Sequence, residues 1–309
     1  MMIKSRNALF TNDVETTSIW LNTLRDETGI KVLREGMPAL LDLYSRYNIK
    51  TTFFFTGYIA KLVPEVVKMI LPFGHEVASH GMSHLKENGF DVMPLDKQIR
   101  HLKESKKILE DISGQEVISF RAPALRVNQT TALALVEAEY LIDSSIASQR
   151  FDMFMSFGGL KKLKWLIAPR VPYRTKSDDL FSKGDGKILE IPISATLLPY
   201  IGTTMRIFPV ITSMQRRILY FESKSTKKPV VFLIHPNEII DESNEVRIIN
   251  RRTSNYVLYL IQDAIRSSLK TKNLGLKCIE LYDKEISYFI DKKFSFLTFK
   301  DFLKLNLIK

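Results

Sequence analysis

Histidine is scarce in this chain, yet three of its five histidines lie in the dozen residues 74–85, "GHEVASHGMSHL". His80 and His84 are four residues apart, so on a helical turn they would project from the same face. Two imidazoles on one face can share a cation, and imidazole suits Zn, Fe and Ni. Two capping or core histidines would give the same spacing, so the rest of the chain has to decide.

Other polar side chains stand at the carboxyl ends of predicted strands. Besides His80 and His84, which follow the third strand, they are Asn12, Asp13, Arg121, Asp143, Ser144, Ser145 and His235. In a parallel α/β barrel these ends share one face, and that face holds the active site. The sequence therefore predicts that these residues meet.

Asp13, His80 and His84 make a set of two histidines and one carboxylate, which is typical of a metal site with open positions. A divalent cation there would polarise a substrate carbonyl and lower the pKa of its water. A nearby carboxylate could accept the proton of that water. His235 could protonate the leaving group, and Arg121 could hold and orient a carboxylate. The residues indicate metal-assisted hydrolysis of an amide or ester.

Hydrophobic periodicity predicts an alternation of strands and helices. Predicted strands cover 7–13, 51–57, 76–81, 117–123, 140–146, 188–194, 229–236 and 276–283, and predicted helices cover 32–48, 59–72, 94–112, 129–138, 210–222 and 250–271. Such alternation favours a parallel sheet, either a barrel or doubly wound. No Gly-x-Gly-x-x-Gly turn follows the first strand, so a dinucleotide site is not indicated. We predict one domain over 1–309, with an elaborated loop around 147–187.

The chain carries a net charge of +11, and its basic residues gather in short runs. Five of them are candidates for facing an anionic partner: Lys161, Lys162, Lys164, Arg216 and Arg217. Aromatic residues are not interleaved with the runs, so a nucleic-acid partner is not expected. A phosphate-bearing carrier or an anionic membrane surface would suit them, and a solvated basic face is the alternative.

Six stretches, "FTNDVE", "GHEVASHGMSHL", "FRAPAL", "YLIDSSI", "LEIPIS" and "FLIHPNE", occur in this order between residues 10 and 238. Together they resemble the polysaccharide deacetylase family, also called the NodB-homology family or carbohydrate esterase family four. The resemblance implies an α/β fold, a distorted (β/α)7-type barrel. It also implies removal of acetyl from an N-acetyl sugar with one divalent metal, zinc first, with cobalt, nickel or iron as alternatives.

The resemblance also assigns residues. It makes His80 and His84 metal ligands, Arg121 the brace of the catalytic carboxylate, and His235 the general acid. Asp143 and Ser145 are predicted to line the substrate pocket, with hydrogen bonding at a strand end as an equal alternative.

The first motif departs from the family's adjacent aspartates, because Asn12 precedes Asp13, and Val14 and Glu15 follow. "DVE" fits an Asp-x-Glu branch of the family. We predict Asp13 as the ligand and Glu15 as its partner carboxylate and base. Which of the two is the base stays open. An Asn12 in the base position would cripple the mechanism.

The leading hypothesis is a metal-dependent N-deacetylase acting on a nucleotide- or lipid-linked sugar in surface-polysaccharide or O-antigen assembly. The N-terminus has no apolar secretory segment, so a cytoplasmic enzyme is expected, with peripheral contact to the inner membrane face. A metal-free, allantoinase-like amidohydrolase of the same fold is an alternative, against which His80 and His84 argue. An inactive glycan-binding module is another, motivated by Asn12.

Overall fold

The computed structural model describes residues 6–148, 164–247 and 265–307. Its strands are β1 (Arg6–Val14), β2 (Thr17–Ser18), β3 (Thr23–Leu24), β4 (Thr52–Phe55), β5 (Glu76–Ser79), β6 (Ser119–Phe120), β7 (Ile142–Asp143), β8 (Tyr173–Arg174), β9 (Leu189–Glu190), β10 (Val230–Ile234) and β11 (Phe294–Phe296). Strands β2 and β3 form a small antiparallel pair, and the others form one sheet of nine strands.

The main sheet runs in the order β10-β1-β4-β5-β6-β7-β9-β8, with β11 on β1. Every neighbouring pair from β10 to β9 is parallel, and only β8 is antiparallel to its neighbour. After β9, the backbone N–H of Ser194 donates to the carbonyl of Val231 on β10 at 3.2 Å. The sheet therefore curls back toward its own first strand, which confirms the distorted barrel.

The α-helices are α1 (Asp26–Lys31), α2 (Met37–Tyr47), α3 (Gly57–Leu62), α4 (Glu65–Lys68), α5 (Leu95–Ser113), α6 (Thr131–Glu137), α7 (Gly202–Ile207), α8 (Pro209–Thr226), α9 (Arg266–Lys270), α10 (Leu276–Asp291) and α11 (Phe299–Leu307). A π-helical turn, Val32–Gly36, leads into α2, and short 3₁₀ turns include Pro123–Leu125 and Pro236–Glu238. Among the described residues, no helix is long and apolar enough to cross a membrane.

One predicted strand is wrong. Residues 276–283 begin helix α10, whose buried side chains recur at helical spacing as far as Phe289. The short window 276–283 hides this period, because apolar runs of that length suit either structure. The third parallel partner of β1 is instead β11, where Arg6 lies opposite Phe294.

Two predicted helices need comment. The predicted helix 59–72 is split into α3 and α4 around Pro64, and Val63, with φ −139° and ψ 78°, lies outside the helical region that proline disfavours for the residue before it. Most of the predicted helix 250–271 lies outside the described residues.

Candidate active site

Strand alternation decides which residues of the first motif face the site. Successive side chains of a strand point to opposite faces, so Asp13 and Glu15 share a side of the chain and Asn12 takes the other. Asn12 is buried, accepts a hydrogen bond from the Tyr44 hydroxyl and donates to Thr51 Oγ1 at 3.2 Å. Asn12 therefore packs behind the strand, away from Asp13.

The two motif histidines meet, but not on a helical turn as predicted. After β5 the chain forms an irregular loop in which Gly81 has a φ of +66°, a left-handed conformation that glycine adopts without strain. His80 Nε2 and His84 Nε2 lie 2.9 Å apart. His80 Nδ1 lies 2.8 Å from the carbonyl oxygen of Arg121, an acceptor that fixes the proton on Nδ1 and turns the Nε2 lone pair toward His84.

The carboxylate that contacts His84 is Glu15. Its Oε2 lies 2.7 Å from His84 Nε2 and accepts a hydrogen bond from the Thr17 hydroxyl at 2.9 Å. Burial raises the pKa of Glu15, but the charge and hydrogen bond of His84, together with His235 and His80, outweigh it and bring the pKa to about 2. Burial lowers the pKa of His80 to about 4, so its imidazole is neutral near pH 7.

Asp13 is held by the buried guanidinium of Arg121, whose Nη1 donates to Oδ1 at 2.7 Å. The other carboxylate oxygen, Oδ2, lies 3.6 Å from His80 Nε2. Arg121 is itself fixed by Thr11 Oγ1 at 2.9 Å and by the carbonyl and hydroxyl of Ser144 at 3.1 and 3.0 Å. Asp13 is thus immobilised through one oxygen and presents the other to the histidines.

His235 closes the site from β10. Its Nε2 lies 3.9 Å from Glu15 Oε1, and its Nδ1 lies 3.0 Å from Glu238 Oε1. Burial lowers the pKa of His235, but the hydrogen bond and charge of Glu238 prevail, with Glu15 and Asp13 adding, and raise it to about 9. The imidazole is therefore cationic near pH 7.

Sequence reasoning missed the partners of His235. Glu238 is fully buried and accepts from Arg206 Nε at 2.8 Å. Arg206 in turn donates to the carbonyls of Lys270 and Lys272, both at 2.8 Å. The spacing of His235 and Glu238 in "HPNE", three residues apart across a short turn, was the available signal.

Asp143 and Ser145 do not line the pocket as predicted, since both are 0% exposed. Ser145 Oγ donates to Asp143 Oδ1 at 2.6 Å and accepts from the Ala122 backbone N–H at 2.9 Å. Burial raises the pKa of Asp143, and burial together with the Asp143 charge raises that of the adjacent Glu190 well above its usual range. Through the hydrogen bond between Ser145 and the Ala122 backbone, these groups support the segment that carries Arg121.

A divalent cation requires several ligand atoms around a common point. Within 6–148, 164–247 and 265–307, no three histidine, cysteine or acidic side chains surround a common point as ligands would. The 2.7 Å and 2.9 Å contacts of His84 show why, since its Nε2 touches Glu15 and His80 directly. Tetrahedral zinc ligands stand roughly 3.3 Å apart, given metal–ligand distances of about 2.0–2.1 Å. Both His84 contacts would have to lengthen to this distance for the atoms to share a cation. The hydrogen bond between His80 Nδ1 and the Arg121 carbonyl is typical of metal-bound histidine.

The basic candidates that the structure describes, Lys164, Arg216 and Arg217, differ in their surroundings. Lys161 and Lys162 lie outside the described residues, and Lys164 Nζ is 4.0 Å from Asp179. Arg216 points inward and donates to Glu285 at 3.0 Å. Of these three candidates, Arg217 alone is exposed without an ion pair to another described side chain.

Residues 23–142 match the family model described as polysaccharide deacetylase. Over 149 residues the chain is 27% identical to a peptidoglycan deacetylase of Helicobacter pylori, covering 46% of this chain and 50% of the relative. Over 103 residues it is 32% identical to a peptidoglycan-N-acetylglucosamine deacetylase of Bacillus cereus, covering 33% and 46%. The chain thus spans about half the length of these relatives.

A solved structure, that of PuuE allantoinase, superimposes over nearly the whole chain. The TM-score is 0.60 at 16% identity, covering 97% of this chain and 90% of that one. At this identity the similarity concerns the fold alone.

Proposed function

Because residues 23–142 match the polysaccharide deacetylase family model, we propose that this chain is a metal-dependent hydrolase that removes the acetyl group from an N-acetyl sugar. The observation that carries the proposal is the direct contact of Glu15, His84 and His80 beside an immobilised Asp13. The names of the two deacetylase relatives support the N-acetyl sugar as the substrate class.

We propose the reverse of the carboxylate roles predicted from the sequence. Glu15, His80 and His84 would hold the cation, because His84 Nε2 lies 2.7 Å from Glu15 Oε2 and 2.9 Å from His80 Nε2. Asp13 is the better base, because Arg121 binds one of its oxygens and leaves the other directed to the cluster. Asp13 lies in β1 and Glu15 directly follows the strand, and each contacts a different histidine, His80 and His84.

The chain's own groups then supply the proton transfers. A divalent cation held by the cluster would polarise the amide carbonyl and make a water molecule more acidic. Asp13 Oδ2 accepts a proton from the attacking water as the carbon–oxygen bond forms. His235 Nε2–H donates its proton to the sugar nitrogen as the carbon–nitrogen bond breaks, releasing acetate and a free amine. Glu238 keeps His235 protonated for that step.

A matched pair of isosteric variants tests the division of roles. Glu15→Gln should lose the bound cation, measured by metal analysis of the purified protein, and lose turnover with it. Asp13→Asn should keep the cation and lose turnover by ~10² to 10⁴-fold, as expected for a general base. The opposite pattern would restore the assignment made from the sequence. Turnover by metal-stripped parent protein would favour the metal-free amidohydrolase.

The substrate carrier is the finer part of the proposal. The net charge of +11 supports a phosphate-bearing substrate, a nucleotide- or lipid-linked sugar precursor of a surface polysaccharide. Deacetylation of a nucleotide-linked N-acetyl sugar should then exceed that of the free sugar, and the preference should weaken as salt is added. Equal rates on both substrates would contradict the proposal of a phosphate-bearing carrier.

A further inference from the structure

Helix α8 has its polar and apolar sides reversed relative to an ordinary surface helix. Such helices bury an apolar stripe and expose polar side chains. In α8 the buried residues are Thr212, Gln215, Leu219 and Ser223, of which three are polar. The exposed side carries five large apolar residues that are 42–69% exposed: Val210, Ile211, Met214, Ile218 and Phe221.

Hydrogen bonds fix this orientation. Gln215 Nε2 donates to Thr196 Oγ1 at 2.9 Å and to the Leu198 carbonyl at 2.8 Å. Rotating the helix to bury its apolar side would break both bonds and bury polar groups without partners, which is costly. Ile211, Met214, Ile218 and Phe221 follow one another at intervals of three, four and three residues, so they form one continuous stripe.

Neighbouring segments widen the apolar surface. The two bonds of Gln215 hold the loop around Leu197 against α8, and Leu197 is largely exposed. On the segment before β8, Arg170 binds Glu222 of α8 through two hydrogen bonds of 2.7 Å, and the exposed Ile167 lies three residues earlier. Single exposed apolar residues are normal, but a contiguous group of this kind marks an interaction surface.

The charges around the stripe are positive. Arg217 and Lys224 are exposed on α8, and Lys227 is exposed just after it. The single acidic residue of α8, Glu222, is neutralised by Arg170 and by Lys228, whose Nζ lies 2.9 Å away. The polar border of the stripe is therefore cationic.

A cleft at the end of α8 extends this positive border. It has a volume of about 410 Å³ and four basic lining residues, Arg174, Lys183, Lys227 and Lys228. Its lining, as far as the described residues form it, contains no acidic side chain. Cations thus flank the stripe and continue beyond its C-terminal end.

We propose that the apolar stripe of α8 docks onto an anionic lipid bilayer, with the helix lying in the plane of the interface. Apolar side chains inserted among the headgroups, beside lysines and arginines on the border, are the features of an interfacial helix. Each cation near an anionic leaflet adds attraction. A second copy of the chain suits the surface less well, because a two-fold interface would bring Arg217 and Lys224 toward their own copies.

Sedimentation with vesicles tests the proposal without any measure of turnover, so its outcome is independent of the proposed activity. The full chain should bind vesicles of mixed phosphatidylcholine and phosphatidylglycerol, and bind pure phosphatidylcholine far more weakly. Ile218→Ser with Phe221→Ser should weaken binding by about 10- to 100-fold, because two apolar side chains no longer leave water. Arg217→Gln with Lys224→Gln should weaken binding mainly at low salt.

Matched controls lie on the other side of the barrel. Leu133→Ser with Leu141→Ser removes two exposed apolar side chains, and Lys68→Gln with Lys103→Gln removes two exposed cations. Both should bind vesicles as the parent does. Equal binding by parent and stripe variant would overturn the proposal. So would a lower melting temperature or a changed oligomeric state of the stripe variant together with unchanged vesicle binding, since the stripe would then be covered by protein.

Discussion

Two pairs of histidine and glutamate are treated in opposite ways: His75 and Glu76 at the amino end of β5, and His235 and Glu15 just after the carboxyl ends of β10 and β1. At the amino end, His75 Nδ1 accepts the Thr51 backbone N–H at 3.1 Å. Glu76 accepts from Ser119, Thr52 and the Lys300 backbone N–H at 2.6 to 2.9 Å. Burial is the largest influence on both, lowering the pKa of His75 to about 4 and raising that of Glu76. Both shifts favour the neutral forms.

In the second pair, Glu15 and His235, the charges are kept. Glu15 has its pKa brought down to about 2 and His235 has its pKa raised to about 9, although burial alone would move each the other way. The difference is the partner: the first pair contacts hydroxyls and backbone groups, whereas the second pair contacts ionisable side chains. Residue type therefore does not identify a site, and the arrangement of opposite charges does.

The largest expected effect concerns metal retention. His80→Ala or His84→Ala should weaken binding of a divalent cation by orders of magnitude, since structural zinc sites are worth roughly 10 kcal/mol or more. His75→Ala should retain the cation, because His75 faces Thr51 at the other end of β5. Metal analysis after dialysis measures all three. Loss of metal from His75→Ala at full folding would break the distinction between the two ends.

The next effect concerns proton donation. His235→Ala should lower kcat by ~10² to 10⁴-fold and leave metal content unchanged. Glu238→Gln removes the main cause of the raised His235 pKa of about 9, so the alkaline fall in rate should begin at lower pH. Above its pKa His235 is neutral and cannot donate. A pH–rate profile that is the same in Glu238→Gln and the parent would remove this pair from the mechanism.

The sequence alone indicated which residues meet, but not which carboxylate contacts which histidine. Histidine spacing and polar strand ends indicated that Asp13, His80 and His84 meet, and they do. Which carboxylate contacts the histidines depends on which face of β1 is turned toward them. It also depends on the position of Arg121, which directly follows β6. The buried positions of Asp143 and Ser145 were also unpredictable, because a polar residue at a strand end can face the pocket or the layer beneath it.

The third effect is on stability. His75 has a folded pKa of about 4 against an ordinary value of 6.5, so the unfolded chain binds the extra proton between these values. Stability is therefore fully present above the ordinary pKa and is lost as pH falls toward 4, by about 3 kcal/mol at most. His80 contributes in the same direction. His75→Gln, which retains an acceptor for Thr51, should flatten this acid loss in melting curves. An unchanged slope would show that His75 is not buried neutral.

Prediction of the fold succeeded where the hydrophobic periodicity extends over many residues and failed where it extends over few. Helix α5 matches its prediction to within a residue at each end, because its apolar positions repeat over five turns. Residues 276–283 were assigned to a strand because eight residues show too little of the helical period. Strand β11 has three residues and pairs only with β1, so nothing local distinguishes it from a loop.

The smallest effect tests the support beneath the site. Ser145→Ala removes the hydroxyl that accepts the Ala122 N–H and donates to Asp143. It leaves a buried donor without a partner, which costs about 1–3 kcal/mol. The melting temperature should fall while KM stays unchanged, because Ser145 has no surface toward the substrate. Ser148→Ala is a matched control, since it removes one buried hydroxyl that, among the described residues, is bonded to the Pro169 carbonyl alone, and it should cost less. A raised KM in Ser145→Ala at unchanged stability would indicate that Ser145 does line the substrate pocket, as predicted from the sequence.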